Sequence, residues 1–312
     1  MVPAAAVHGA PPGPTAEQTK AAATAFAKIG ARQNVELTTG QKSTLLFGMP
    51  LHTNNATLKE LPDTPFAFGL ELSTTDITDP GLRELKRHAT LIYLDLSLTK
   101  VGDRGMKELK GLTNLTTLRL DLTKVGDPGM KELKELKGLA RLSLSHTGVG
   151  DTGLKELGEL TELTELCLDG TRVTDAGLKE LKGLKKLTRL TLSGPKIADD
   201  GIKELTGHHG LTVLVLRDTN VTDVGLKELA RFQKLKRLNL SSTKVTEAGL
   251  KEIRGLTELT DLDVSFTMVS DAGLGSLKEL TALEDLSIVG TKVTATGLKE
   301  LQAALPKCRI RN

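Results

Sequence analysis

From Ala67 to Pro306, apolar residues recur with a period of 24 and no insertion, dividing the chain into ten units. One unit, residues 163–186, reads LTELCLDGTRVTDAGLKELKGLKK, and its residues define positions 1 to 24. Position 4 is Leu in all ten units, from Leu70 to Leu286; position 6 is Leu in eight and Val264 or Ile288 in the others. Position 11 is always Val or Ile, position 16 is Leu, Met or Ile, and position 19 is Leu except for Ile253. Positions 4 and 6 alternate with polar neighbours, which predicts a short half-buried strand, whereas positions 16, 19 and 22 share one face of a helix. No unit can bury its apolar set alone, but stacked units form a continuous core. The expected fold is therefore α/β: a curved solenoid with a parallel sheet on the concave face and short helices on the convex face. At a strand spacing of about 4.8 Å, its strands would line roughly 45 Å of arc.

Punctuation within the unit supports this division. Position 13 is Asp in eight units, from Asp79 to Asp271, with Glu247 and Ala295 as exceptions. An Asp before a helical stretch reads as an N-cap, with Pro80 and Pro128 then falling at the first helical position. Gly at position 21 (Gly111, Gly183, Gly207, Gly255) reads as a C-cap. Gly at position 15 occurs in all ten units and reads as close packing of backbone against the next unit. Lys-Glu at positions 17 and 18, present in eight units, marks a solvated convex face.

The ends differ from the units. Residues 1–14 are rich in Ala, Pro and Gly and read as a disordered tail. Residues 15–66 form an N-terminal cap: Thr15 and Gln18 make a capping box, Ala22, Phe26 and Ile29 share a helix face, and Gly30 ends that helix. Val35–Leu37 and Leu45–Phe47 read as strands, and residues 43–66 as a decayed repeat. Residues 67–306 are the ten repeats. Residues 307–312 form a final edge strand; Leu305, Cys308 and Ile310 copy the L-x-x-L-x-L spacing across the boundary, and Cys308 reads as a core thiol.

Composition narrows the functions. Aromatics are 2% of 312 residues, so the core is built of many similar Leu and Val layers. A net charge of +3, from 42 basic and 39 acidic residues, gives no case for nucleic acid, which requires a clustered basic face with stacking aromatics. Two distant cysteines make no disulfide framework, and no apolar run reaches the length of a membrane span. A cytoplasmic location is slightly favoured, or an extracytoplasmic one if a leader has been removed. A monomer is expected.

No residue set calls for catalysis, a metal or a cofactor. His88 and His208 occupy position 22, normally Leu or Phe, five units apart, and read as core histidines. His208-His209 has no i,i+4 partner or Cys cluster for zinc. Cys167 at position 5 and His146 at position 8 of the preceding unit fall outside hydrogen-bond reach.

The pattern LxxLxLxxT followed by V-T-D-x-G-L-K-E-L resembles the leucine-rich-repeat superfamily. It is most similar to bacterial repeat proteins of the planctomycete type, and more distantly to F-box-associated and ribonuclease-inhibitor-like repeats. The resemblance covers about three quarters of the chain. It departs from the common pattern at position 9, where nine units carry Thr and one carries Pro195 instead of Asn or Cys. There a Thr hydroxyl can bond the turn backbone as Asn would. The resemblance implies a right-handed leucine-rich-repeat horseshoe used as a non-catalytic scaffold that binds proteins or peptides.

Positions 3, 5, 7 and 8 are expected to project from the concave strands, and there the units diverge. The candidate binding residues are Tyr93, Arg119, Arg141, Cys167, Arg189, Val213, Val215, Arg217, Arg237 and Phe266. Their basic middle suits an acidic protein or peptide. Three other readings stand beside this one: an F-box-type substrate adaptor or bacterial effector, an envelope spacer, and an enzyme. The first lacks a three-helix F-box segment in residues 1–66.

Overall fold

The computed structural model describes residues 14–39 and 42–312; the tail expected over residues 1–14 lies outside them except for Pro14. The chain begins with helix α1 (Ala16–Lys28), closed at its start by the expected capping box: Thr15 Oγ1 accepts the Gln18 N–H at 3.2 Å, and Gln18 Oε1 accepts the Thr15 N–H at 2.8 Å. Gly30, at φ +80°, turns the chain out of the helix.

A single sheet follows, with its 13 strands in sequence order. Strands β1 (Arg32–Thr39) and β2 (Lys42–Gly48) form an antiparallel pair. β3 (Phe68–Glu71), β4 (Leu91–Asp95), β5 (Thr117–Arg119), β6 (Arg141–Ser143) and β7 (Glu165–Leu168) then add in parallel. β8 (Arg189–Leu192), β9 (Val213–Val215), β10 (Arg237–Asn239), β11 (Asp261–Asp263), β12 (Asp285–Ser287) and β13 (Arg309–Arg311) complete it, also in parallel. From β4 to β13 the register joins equal positions of neighbouring units, as in Leu142 opposite Leu166 and Leu190 opposite Leu214. Short helical turns on the far side, such as Asp151–Leu157 and Asp223–Leu229, return the chain to the next strand. The result is the leucine-rich-repeat type of solenoid, with strands on the concave face and helical turns on the convex face.

Seven of the ten units each contribute seven buried apolar residues. In residues 163–186 they are Leu163, Leu166, Leu168, Val173, Leu178, Leu181 and Leu184, all nearly inaccessible. Each such side chain removed from water stabilises by about 1.5–3 kcal/mol. The stack ends at a Phe layer: Phe26 lies parallel to Phe47 at 3.8 Å between ring centroids, and Phe68 tilts against both.

The Asp at position 13 does not cap its own helix, contrary to the expectation. It is itself the first helical residue, which moves Pro80 and Pro128 to the second helical position. Its carboxylate reaches into the following unit. Asp79 Oδ1 accepts the Gly102 N–H at 2.6 Å, and Asp127 Oδ1 the Gly150 N–H at 2.6 Å. Asp151 and Asp199 each take both the N–H and the hydroxyl of a Thr, Thr174 and Thr222. The carboxylate thus staples adjacent units by satisfying backbone donors at the next helix start. Asn55, at the equivalent place in the degenerate unit, does the same for Thr78. That unit pairs its strand 23 residues ahead, Leu45 opposite Phe68, so its loop is one residue shorter than the others.

The staple also explains the Gly at position 15. A Cβ on Gly177 would stand 2.2 Å from Asp151 Oδ1, and one on Gly201 2.4 Å from Asp175 Oδ1. The close approach is therefore to the preceding unit. The four glycines at position 21 are not left-handed C-caps, since left-handed glycine is confined to Gly30, Gly170, Gly194 and Gly290 among the described residues. The helical turns end instead on a tight bond from position 22 back to position 19, as in Leu184 N–H to Leu181 O at 2.8 Å.

All nine Thr residues at position 9 donate their hydroxyl to the carbonyl at position 6, for example Thr147 to Leu144 at 2.6 Å. This is the turn bond anticipated for the departure from Asn.

The two position-22 histidines are buried, in different surroundings. His208 places Nδ1 3.0 Å from Leu205 O and Nε2 3.0 Å from Leu181 O, joining two units. His88 packs edge-on to Phe68 and accepts from Arg87 Nε at 3.2 Å. Burial holds the His88 imidazole below its ordinary value, reinforced by the Arg87 charge and opposed by Asp63. The unfolded chain therefore takes up this proton first, near pH 6.5. The His88 contribution to stability is complete above that value and lost as pH falls from 6.5 through the lower folded pKa. In His88→Leu, thermal melts between about pH 7 and pH 5 are expected to show a flatter decline than in the parent. An identical decline would assign the effect to other groups.

Candidate functional site

Strands β4 to β10 place nine of the ten candidate residues on or just beyond the concave sheet. Tyr93 lies in β4, Arg119 in β5, Arg141 in β6, Cys167 in β7, Arg189 in β8, Val213 and Val215 in β9, and Arg237 in β10; Arg217 lies two residues beyond β9. In-register stacking turns each position into a column. Position 3 runs Tyr93, Thr117, Arg141, Glu165, Arg189, Val213 and Arg237 across consecutive strands.

The arginines do not form a bare basic stretch. Glu165 lies between Arg141 and Arg189, with contacts of 3.2 and 3.6 Å. Arg119 lies between Asp95 at 3.6 Å and Asp121 at 3.4 Å. Arg237 meets Asp261 at 3.4 Å, and Arg217 faces Asp169 at 3.9 Å. These pairs are partly exposed and contribute about 0–1 kcal/mol each to stability. They give the face alternating charge rather than a uniform positive field. Single-sequence reading found the arginines from their divergent positions but missed Asp95, Asp121, Glu165 and Asp169 as their partners, since the pairing depends on which strands adjoin.

Two shallow depressions indent this surface. One, of about 270 Å³, is bordered by Tyr93, Arg119, Arg141, Glu165 and Cys167. The other, of about 240 Å³, runs from Arg189 across Val213 and Val215 to Arg237, Asp261 and Asp285. Between them Asp169 accepts the Thr191 hydroxyl through Oδ2, while its buried Oδ1 has no hydrogen-bond partner.

Phe266 stands apart from the concave set. Position 8 is a left-handed corner at the end of the strand in every unit: Thr74, Leu98, Leu122, His146, Asp218, Ser242 and Phe266 have φ between 54° and 60°, and the other three are glycines. The alternation of faces breaks there, so position 8 forms the rim. Neighbouring rim residues are matched. A Cβ on Gly290 would come within 2.6 Å of the Phe266 ring, and one on Gly170 within 2.4 Å of the His146 ring.

That corner also separates His146 from Cys167, which sits between strand neighbours Ser143 and Thr191. Burial raises the Cys167 thiol above its ordinary value, outweighing hydrogen bonds with the Thr191 and Ser143 hydroxyls that act to lower it. This is the reverse of the thiolate stabilisation that a cysteine nucleophile requires. Among the described residues no His, Cys, Asp and Glu cluster could hold a metal ion, and no helix is long and apolar enough to cross a membrane.

The repeats are recognisable individually: the family described as Leucine Rich repeat matches residues 87–110, 111–134, 139–158, 208–230 and 233–253. No curated protein matches the chain. Among solved structures, an internalin of Listeria monocytogenes is similar with a TM-score of 0.61 at 20% identity, over 86% of each chain. A leucine-rich-repeat protein of Leptospira interrogans is similar with a TM-score of 0.59 at 20% identity, over 85% of this chain and 75% of that one. At such identity the likeness is one of fold. Sequence matches in five repeats, a sheet that adds one parallel strand per unit and this shared architecture together make the fold that of a leucine-rich-repeat solenoid.

Proposed function

We propose that the protein is a non-catalytic scaffold whose concave face, from β4 to β10, binds an extended segment of another protein. The observation that carries this reading is the contrast between columns. Positions 4 and 6 repeat almost without variation, whereas positions 3 and 5 change in size, charge and polarity from strand to strand. Packing demands the first and has no use for the second.

The partner that fits is of mixed charge. Carboxylates would displace Glu165 from Arg141 and Arg189, basic groups would reach Asp261 and Asp285, and an apolar side chain would lie over Val213 and Val215. Aromatic anchors are few on this face, so affinity rests on several Arg contacts, which interfaces favour.

A photo-cross-linking residue in place of Val213, compared with one in place of Lys227 on the convex face, tests the surface directly. Partner capture is expected through position 213 only, and the triple variant Arg141→Glu, Arg189→Glu, Arg237→Glu should reduce capture at least about tenfold. Equal cross-linking from both faces, or capture indifferent to the triple variant, would remove the concave sheet as the binding surface.

A further inference from the structure

The rim that follows the strands carries chemistry that neither the core nor the concave face requires. Position 10 bears Lys100, Lys124, Arg172, Lys196, Lys244 and Lys292, all exposed. Among the described residues only Lys100 is ion-paired, with Asp76 at 2.7 Å. Two residues earlier, position 8 presents Leu98, Leu122 and Phe266, and Met268 takes the position-10 place in its unit. These four are 52, 50, 63 and 50% exposed.

Both columns are held in line by backbone bonds. The N–H at position 8 donates to the following unit, as Leu98 to Asp121 O at 2.8 Å and Phe266 to Val289 O at 2.8 Å. The N–H at position 10 donates to the preceding unit, as Lys124 to Val101 O at 2.8 Å and Lys244 to Val221 O at 3.0 Å. Intervening position 9 and position 11 point inward, as Thr123 and Val125 do. Successive rim residues therefore face the same way at about the strand spacing of 4.8 Å.

Stability does not call for the apolar members. A bulky residue in the left-handed region costs about 1–2 kcal/mol, and this protein has glycine in the same corner at Gly170, Gly194 and Gly290. Strained backbone that carries an exposed Leu or Phe points to a contact made outside the chain. Acidic groups nearby are mostly engaged: Asp76 with Lys100, Asp200 with Lys203, and the position-13 carboxylates with backbone N–H groups. Asp218 is the acidic exception at position 8.

We propose that this rim docks the protein edge-on to an anionic lipid surface. The position-10 cations would meet the phosphate-bearing headgroups, while Leu98, Leu122, Phe266 and Met268 enter the interfacial layer. A bilayer surface takes both features together, because basic side chains bind its negative potential and exposed apolar side chains bury at the headgroup boundary. A soluble polyanion would use only the cations. The concave sheet stays free for a protein partner.

Co-sedimentation with phosphatidylcholine vesicles containing about 30% phosphatidylglycerol, compared with phosphatidylcholine alone, tests this. Partitioning to the anionic vesicles is expected to exceed that to neutral ones at least about tenfold and to fall as salt screens the charges. The variant Lys124→Glu, Arg172→Glu, Lys196→Glu, Lys244→Glu should lose about a hundredfold. The variant Leu98→Gly, Leu122→Gly, Phe266→Gly should weaken partitioning without lowering the unfolding temperature, since glycine suits the corner. No binding, equal binding to neutral vesicles, or binding indifferent to both variants overturns the proposal. So does retention on an immobilised sulfated polysaccharide without vesicle affinity, which would give the cations to a soluble polyanion.

Discussion

Gly177→Ala is expected to destabilise the protein by about 1–3 kcal/mol, a large effect for one methyl group. The new Cβ would stand 2.2 Å from Asp151 Oδ1 and 3.2 Å from the Asp151 Cα. Relief requires the carboxylate to swing away, which breaks its bonds to the Thr174 N–H at 2.8 Å and hydroxyl at 2.7 Å. The staple and the glycine are thus one device. Asp151→Ala alone loses the staple, but in the double variant the added methyl meets an opened space. Denaturant unfolding of the four proteins should give a coupling of about 0.5–3 kcal/mol. Gly273→Ala is the internal control: Glu247 replaces Asp in the preceding unit, and the nearest atoms stand at 3.1 Å. Its cost should be the smallest of the series. Additive effects at Gly177 and Asp151, or an equal cost at Gly273, would refute the linkage.

Phe47→Ala is expected to cost about 3–5 kcal/mol, the value for a fully buried aromatic side chain. Phe47 stacks on Phe26 at 3.8 Å and an interplanar angle of 4°, with Phe68 at 6.5 Å. Removing it separates α1 from the first repeat. Because each unit touches mainly its neighbours, the loss should be local at first. Hydrogen exchange should accelerate over residues 16–72 before the central strands respond. Uniform acceleration along the chain would show that the rod unfolds as one unit and that the Phe layer is not a separable cap.

The concave site was legible in outline. Divergence at position 3 pointed to Arg141, Arg189 and Arg237, and all three lie on the concave sheet. Their electrostatic state was not legible, because Glu165 belongs to an intervening unit and becomes a partner only when β7 lies between β6 and β8. Phe266 was grouped with the concave residues by counting along the strand. The left-handed corner at position 8 ends that count and turns its side chain to the rim.

What the sequence determined by itself is the repeating unit: period, strand, helical turn, seven inward positions and the order of strands. These follow from spacings of two and three residues, which local backbone geometry converts directly into faces. The tertiary structure alone decided what crosses between units. The Asp at position 13 has the composition of an N-cap, yet its bonds span 23 residues to the next unit, and the glycine it excludes lies 26 residues away. Neither distance is a helix or strand period. Such contacts arise only once stacking brings one helix start beside the last, and periodicity within a single repeat carries no record of them.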